Sequence, residues 1–176
     1  MNAWEKFKKN VEKSGLISAG DKILLAVSGG PDSVSLLHLF WRLKKNIPIE
    51  LAVVHMDHGL RKSSKKELRF VENLSERFGV PSITQKLPVK KFSETNKISL
   101  ETAGRNLRYD VLYETARKLR YNKIATGHTA DDNAETVIMW MIRGTGTDGL
   151  GGIPASRKIR AGLEIIRPLL PITKEE

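Results

Sequence analysis

The sequence predicts an α/β protein: a doubly wound, mostly parallel sheet of about five strands with helices on both faces. Three observations carry this. Short apolar runs alternate with longer stretches of helical periodicity, as repeated strand–helix–strand units do. The first of these runs, "KILLAVS", reads as a buried strand. The chemically unusual residues gather directly after predicted strands, at Ser28–Ser33, His55–Arg61 and Gly127–Asp132. In an open parallel sheet, ligands bind beyond the carboxyl ends of the strands, near the point where the strand order reverses.

Taken in order, Trp4, Phe7 and Val11 share one face of a short amphipathic helix, and the same stretch lacks the apolar core of a secretory signal. Residues 22–28 form the first strand and 32–45 the helix after it. "IELAVVHMD" (49–57) is the second strand. Leu68, Val71, Leu74 and Phe78 fall at helical spacing and set a helix over 64–78. "PSITQKL" (81–87) is a third strand, 99–120 a long amphipathic helix, and "NKIATGH" (122–128) a fourth strand. Residues 129–143 form a helix, with Thr129 as N-cap and Asp132 at the N3 position of a near capping box. A glycine-rich loop follows, and "LEIIRPL" (163–169) is a fifth strand. No repeat or low-complexity segment interrupts the pattern, and 176 residues suffice for one domain with its own core.

The chain carries 30 Lys and Arg against 20 Asp and Glu, a net charge of +10. That surplus suits either a polyanionic partner or simple solubility. Its clustering in "RKSSKK" (61–66), "KLPVKK" (86–91) and "RKLRYNK" (117–123), with few aromatics between, points to phosphate-backbone contact rather than base stacking. There is no cysteine, which excludes disulfides, thiolate metal sites and thiol chemistry on this chain, and fits a cytoplasmic location. No apolar run approaches the roughly 20 residues of a membrane span.

"SGGPDS" (28–33) is the most informative stretch. Gly29 and Gly30 let backbone amides approach a bulky group, and Pro31 suits the first turn of a helix. A helix start then favours an anion such as phosphate, with Ser28 and Ser33 adding hydroxyls. The "GK[ST]" ending of a Walker A loop is absent, as is the dinucleotide "GxGxxG". Asp32 in their place repels a polyphosphate unless a cation lies between, and Mg²⁺ fills that role with a carboxylate and phosphate oxygens. The alternative is a glycine turn in which Asp32 and Ser33 only cap the helix.

Three other stretches each admit two readings. "VVHMDHGLR" (53–61) holds either pocket-lining residues or a satisfied core His55 with His58 in a loop. Glu101, Arg105 and Arg108 lie near one helical face, as a functional group or as an intrahelical Glu–Arg pair worth about 0.2–0.5 kcal/mol. Asp131, Asp132 and Glu135 open a helix, where carboxylates complement the dipole but three exceed what capping needs. The five glycines of "RGTGTDGLGGI" (143–153) also suit a plain surface loop.

"SGGPDS" after a strand is similar to the signature of the PP-loop ATP pyrophosphatase superfamily, whose fold is adenine nucleotide alpha hydrolase-like. Joined in order by "DHGLR", "ETAGRNLRY", "TGHTADDNAET", "RGTGTDGLGGI" and "RPLLPI", it resembles the catalytic domain of the tRNA(Ile)-lysidine synthase family over residues 20 to 172 or so. The resemblance implies one catalytic domain over 1–176, with the family's C-terminal tRNA-binding domains absent from this chain. It implies a ligase that adenylates the wobble cytidine of the CAU-anticodon isoleucine tRNA and attaches free L-lysine through its ε-amine. The lysidine so formed changes codon reading from AUG to AUA. ATP and Mg²⁺ are the implied cofactors.

On that resemblance, Ser28, Gly29, Gly30, Pro31, Asp32, Ser33, His55 and Gly127 bind ATP, with Asp32 holding Mg²⁺. Asp32, Arg105, Asp132 and Glu135 are catalytic, and Asp132 and Glu135 receive the lysine ammonium. Arg61, Lys62, Arg108 and Arg143 contact tRNA. A homodimer is one assembly open to it. The rivals are a tRNA-thiolating relative, which commonly needs cysteines, an amidotransferase-linked synthetase, and a catalytically dead RNA-binding module.

Overall fold

Apolar side chains alternate across the central strands and so fill two cores at once. The computed structural model describes residues 2–57, 64–144, 150–159 and 162–176. Strand β1 (Lys22–Ala26) and strand β2 (Glu50–Asp57) send Ile23, Leu25, Leu51 and Val53 to one face of the sheet, and Leu24, Ala52 and Val54 to the other. Helices α1 (Ala3–Ser14), α2 (Pro31–Leu43) and α3 (Ser64–Arg77) cover the first face, where Phe7, Val11, Leu36, Phe40 and Val71 are buried. Helix α5 (Leu100–Leu119) covers the second with Leu112 and Ala116, and α4 (Val89–Asn96) packs beside it.

The remaining strands are β3 (Ser82–Lys86), β4 (Lys123–Ala125), β5 (Ser156–Lys158) and β6 (Glu164–Ile166), with helix α6 (Ala130–Ile142) after β4. The sheet order is β3-β2-β1-β4-β6-β5. All neighbours pair in parallel except β5 with β6. The chain runs outward from β1 through β2 to β3, then returns to lay β4 on the other side of β1. The order therefore reverses between β1 and β4, where Leu25 pairs with Ala125, and the loops leaving these two strands face one crevice.

The doubly wound sheet agrees with the expectation, but it has six strands rather than about five. The addition is β5, three polar residues that form an antiparallel edge. Helix α4 is also additional. It has eight residues and no side-chain cap, and it buries only Val89. One basic stretch is less available than its sequence implies. The Lys123 ammonium is buried at the foot of β4, 2.8 Å from Asp21 and donating to the Leu16 carbonyl at 2.6 Å. Arg117 in the same stretch is held by Glu114 at 2.9 Å. No helix among the described residues is long and apolar enough to cross a membrane.

Candidate active site

The turn after β1 is built around one hydroxyl. Ser33 Oγ accepts from the backbone amides of Ser28 and Gly29, both at 3.2 Å, and donates to the Gly30 carbonyl at 2.8 Å. Ser28 Oγ lies 3.1 Å from it. Gly29 takes φ +94°, which a side chain would strain, and its Cα faces Val71 and Phe70 of α3. Helix α2 then begins at Gly30 and Pro31 with no side-chain cap on its first amides. Asp32 and Ser33 are therefore not caps. Ser33 shapes the loop, and Asp32 stands half-buried in the first turn. The helix start keeps its partial positive charge uncompensated by a side-chain cap.

The turn after β4 meets this one closely. A Cβ on Gly127 would stand 3.3 Å from the Asp32 carbonyl carbon and oxygen and 3.4 Å from Ser33 Cα, so any larger residue would push the two loops apart by a few tenths of an ångström. Thr129 and Asp132 close a full capping box on α6, with Asp132 Oδ2 accepting from the Thr129 amide at 2.9 Å and from its hydroxyl at 3.2 Å. Asp132 Oδ1 is left for a cation, and Lys174 Nζ occupies it at 3.1 Å. Glu135 Oε1 lies 3.7 Å from the same ammonium. Burial pushes the Asp132 carboxyl up, but the Thr129 amide and Lys174 outweigh it and hold it below the usual range. The Asp132 contact, aided by Glu135 and Asp32, raises Lys174.

His128 belongs to the turn after β4. Burial depresses its pKa first, then the charges of Arg167, Arg108 and Arg105, against the opposing pull of Asp132. The imidazole is thus held neutral near pH 7, and its Nδ1 lies 2.9 Å from Thr126 Oγ1. Arg105 and Arg108, both exposed on α5, are thus near enough for their charges to reach His128. Arg105 forms no pair with Glu101, since its guanidinium lies over the Tyr109 ring instead, 5.5 Å from the centroid. His55 is 3 % exposed, and its Nδ1 is 2.9 Å from the Val27 carbonyl. A carbonyl only accepts, so Nδ1 carries the proton and the ring clamps the end of β1 from behind. Among the described residues no three His, Asp or Glu side chains gather into a metal site of their own.

Compared with known proteins, residues 2–176 match the model of the PP-loop domain family. The chain belongs to the PP-loop domain family. It is 42% identical over 177 residues to a tRNA(Ile)-lysidine synthase of Dehalococcoides mccartyi, covering 98% of this chain and 38% of that protein. It is 42% identical over 174 residues to a tRNA(Ile)-lysidine synthase of Clostridioides difficile, covering 98% of this chain and 37% of that one. The chain thus spans less than two fifths of the length of these relatives. Among solved structures it resembles a U34-tRNA thiolase from Methanococcus maripaludis, with a TM-score of 0.81 at 21% identity, covering 98% of this chain and 59% of that one. That likeness speaks for the fold.

Within this PP-loop domain, the sequence-predicted residues Ser28 to Ser33 and Gly127 meet at the strand reversal, with Asp132 and Glu135 at the start of the adjoining helix. Arg143 lies exposed at the far end of α6, away from that meeting point. Arg61, Lys62 and His58 fall outside the described residues. Three residues escaped the sequence reading. Asn133 holds the glycine-rich loop, its Oδ1 accepting from the Ile153 amide at 2.7 Å. Arg167 is buried beside His128, donating to the Pro154 carbonyl at 2.7 Å while its Nε has no partner among the described residues. The motif "RPLLPI" contains Arg167 but assigns it no role. Lys174 is the third, and nothing local in "TKEE" marks it as a partner of α6.

Proposed function

We propose that this PP-loop domain is the ATP-using part of a tRNA(Ile)-lysidine synthase. It adenylates the wobble cytidine of the CAU-anticodon isoleucine tRNA and joins free L-lysine to it through the ε-amine. One observation carries the reading: an uncapped, glycine-lined helix start and a carboxylate pair already holding a lysine-type ammonium meet at one strand reversal. The first suits a polyphosphate and the second suits the acceptor amine. The relatives supply the tRNA, and the PP-loop supplies ATP.

In this reading the amides and hydroxyls of residues 28–33 bind the pyrophosphate portion of ATP. Mg²⁺ fits the donor set. Asp32 caps nothing, and without three carboxylates together it would hold the ion only alongside phosphate oxygens. Bound there, the ion offsets the charge of the polyphosphate. Arg105 stabilises charge on the activated cytidine. Cytidine O2 attacks the α-phosphate, and pyrophosphate leaves. Asp132 and Glu135 then orient the lysine ε-amine. That amine must lose a proton before it displaces AMP, and in this reading His128, whose pKa is lowered, takes it. Arg108 with the basic stretches contacts tRNA phosphates, and Arg61, Lys62 and Arg143 are proposed for the same role.

The test is pyrophosphate release from ATP with isoleucine tRNA, with and without lysine. Release that needs the tRNA, with lysidine formed only when lysine is added, is the expected result. Release indifferent to tRNA would overturn the reading. Thiolation is disfavoured because this chain has no cysteine.

A further inference from the structure

We propose that the Lys174 side chain is an internal competitor for the acceptor site: its ammonium occupies the seat that the ε-ammonium of free lysine takes in the reaction. The inference rests on the reading of Asp132 and Glu135 as the lysine-binding pair and deepens it.

Four observations lead there. The seat holds one cation. Asp132 Oδ2 is committed to the Thr129 amide and hydroxyl, so Oδ1 is the oxygen open to an ammonium, and Lys174 Nζ is on it at 3.1 Å with Glu135 at 3.7 Å. The occupant has the right chemistry, because it is the same primary ammonium on the same four-carbon stem as the substrate. The backbone delivers it. Ile172, 5 % exposed, accepts from the Ala130 amide at 2.8 Å, and the Lys174 amide donates to Asp131 Oδ2 at 2.8 Å. Two backbone contacts thus hold the segment against the first turn of α6 independently of the Lys174 side chain. Finally the plug is removable. The Lys174, Glu135 and Asp132 side chains are 42%, 71% and 29% exposed, and ion pairs whose cation is this open are weak. The ammonium can swing into water while the backbone stays docked.

The consequence is twofold. Without lysine, Asp132 and Glu135 stay neutralised while a polyphosphate loads beside them, where Asp32 also feels the Lys174 charge. Lysine then binds by exchange of one ammonium for another, and its intrinsic affinity is scaled down in proportion to the fraction of time the seat is empty.

Titration calorimetry of L-lysine into the chain decides this, with Lys174→Met, Lys174→Arg and Glu135→Gln compared against the wild type. Lys174→Met should tighten lysine about three- to fivefold, the range set by an exposed ion pair. It should do nothing for L-norleucine, which lacks the ε-amine. Lys174→Arg should bind lysine like the wild type, and adding Glu135→Gln to Lys174→Met should cancel the gain. Lys174→Gln carries the same comparison should Lys174→Met not fold, as judged by a thermal melt. An unchanged lysine affinity in Lys174→Met, with a loss in Glu135→Gln, overturns the competitor while leaving the carboxylate seat intact. A raised KM for ATP with lysine affinity unchanged overturns it too, since Lys174 would then serve the phosphates. If Glu135→Gln alters lysine binding in neither background, the carboxylate reading itself fails, and the competitor with it.

Discussion

Helices α2 and α6 start at equivalent places, each in the turn that leaves a parallel strand at the reversal of the sheet, yet their first turns are wired oppositely. Helix α2 begins on Gly30 and Pro31 with no side-chain cap, and the hydroxyls nearby shape the loop rather than the helix end. Helix α6 begins on a complete Thr129–Asp132 capping box, with Asp131 and Glu135 beside it. The same backbone dipole is left open in one case and filled in the other. In the proposed function these two adjacent helix starts would take ligands of opposite sign, an anion at α2 and a cation at α6. In this chain the difference between the two starts lies in capping chemistry, since their place in the topology is the same.

The strongest way to break that contrast is at Asp32. Asp32→Asn should lower tRNA-dependent pyrophosphate release by about 10²-fold or more, the scale of losing one preorganised charge partner of a transferring phosphoryl group. Because Asp32 caps nothing, the melting temperature should stay within a degree or two. Near-normal release would show that the carboxylate has no part in handling the phosphates.

Glu135→Gln should act on the other half of the pair. It should slow lysine transfer from the adenylated tRNA by about tenfold, the worth of one charge-assisted hydrogen bond, while pyrophosphate release keeps its rate. Following the adenylated intermediate at saturating ATP separates the steps. Equal losses in both would remove Glu135 from lysine recognition.

Thr129→Ala tests the filled cap directly. It removes the hydroxyl that faces the Asp132 amide and carboxylate, and should cost about 1 kcal/mol in chemical denaturation. His128 adds a pH signature to the same turn. Its folded pKa lies below its unfolded value, so the unfolded chain binds the extra proton. Its contribution is present above the unfolded pKa of about 6.5 and is lost as pH falls through the depressed folded value. The midpoint of denaturation should therefore drop on acidification below about pH 6.5, and His128→Asn should flatten the slope there.

What sequence showed of this pair follows the range of each interaction. The α2 start was legible because its constraints are local: Gly29 needs a positive φ, and Pro31 fits only a first turn. The Thr129–Asp132 box spans four residues and was equally plain. Strands β1 and β2 announced themselves as buried apolar runs, and their alternation with helices implied the sheet and its crevice. The rest depended on contacts distant in sequence or on segments too brief to show a period. Strand β5 is three polar residues recruited by β6. Lys123 reads as surface charge in a basic run, yet pairing with Asp21 buries it. Lys174 reaches Asp132 from 42 positions further along the chain, a contact visible only once the 168–176 segment is seen to fold back onto α6.

The smallest effect is the sharpest test of whether the open cap is functional or merely unfilled. Gly30 takes φ −75° and ψ 162°, ordinary extended backbone, and an added Cβ would meet only Ser28 Oγ at 3.6 Å, an unstrained contact. Gly30→Ser should therefore be tolerated, and its hydroxyl can accept from a first-turn amide as N-cap serines do. Stability should rise by a few tenths of a kcal/mol, a shift of about 1 °C in melting temperature for a chain of this size. The same hydroxyl would compete with phosphate for the amide, so nucleotide affinity should fall several-fold while lysine binding at α6 is unmoved. A stabilised variant with weaker ATP binding would show that the helix is left uncapped for its ligand. Unchanged ATP affinity in a stabilised Gly30→Ser would mean that the amides of α2 do not contact the phosphates, and the contrast between the two helix starts would lose its functional meaning.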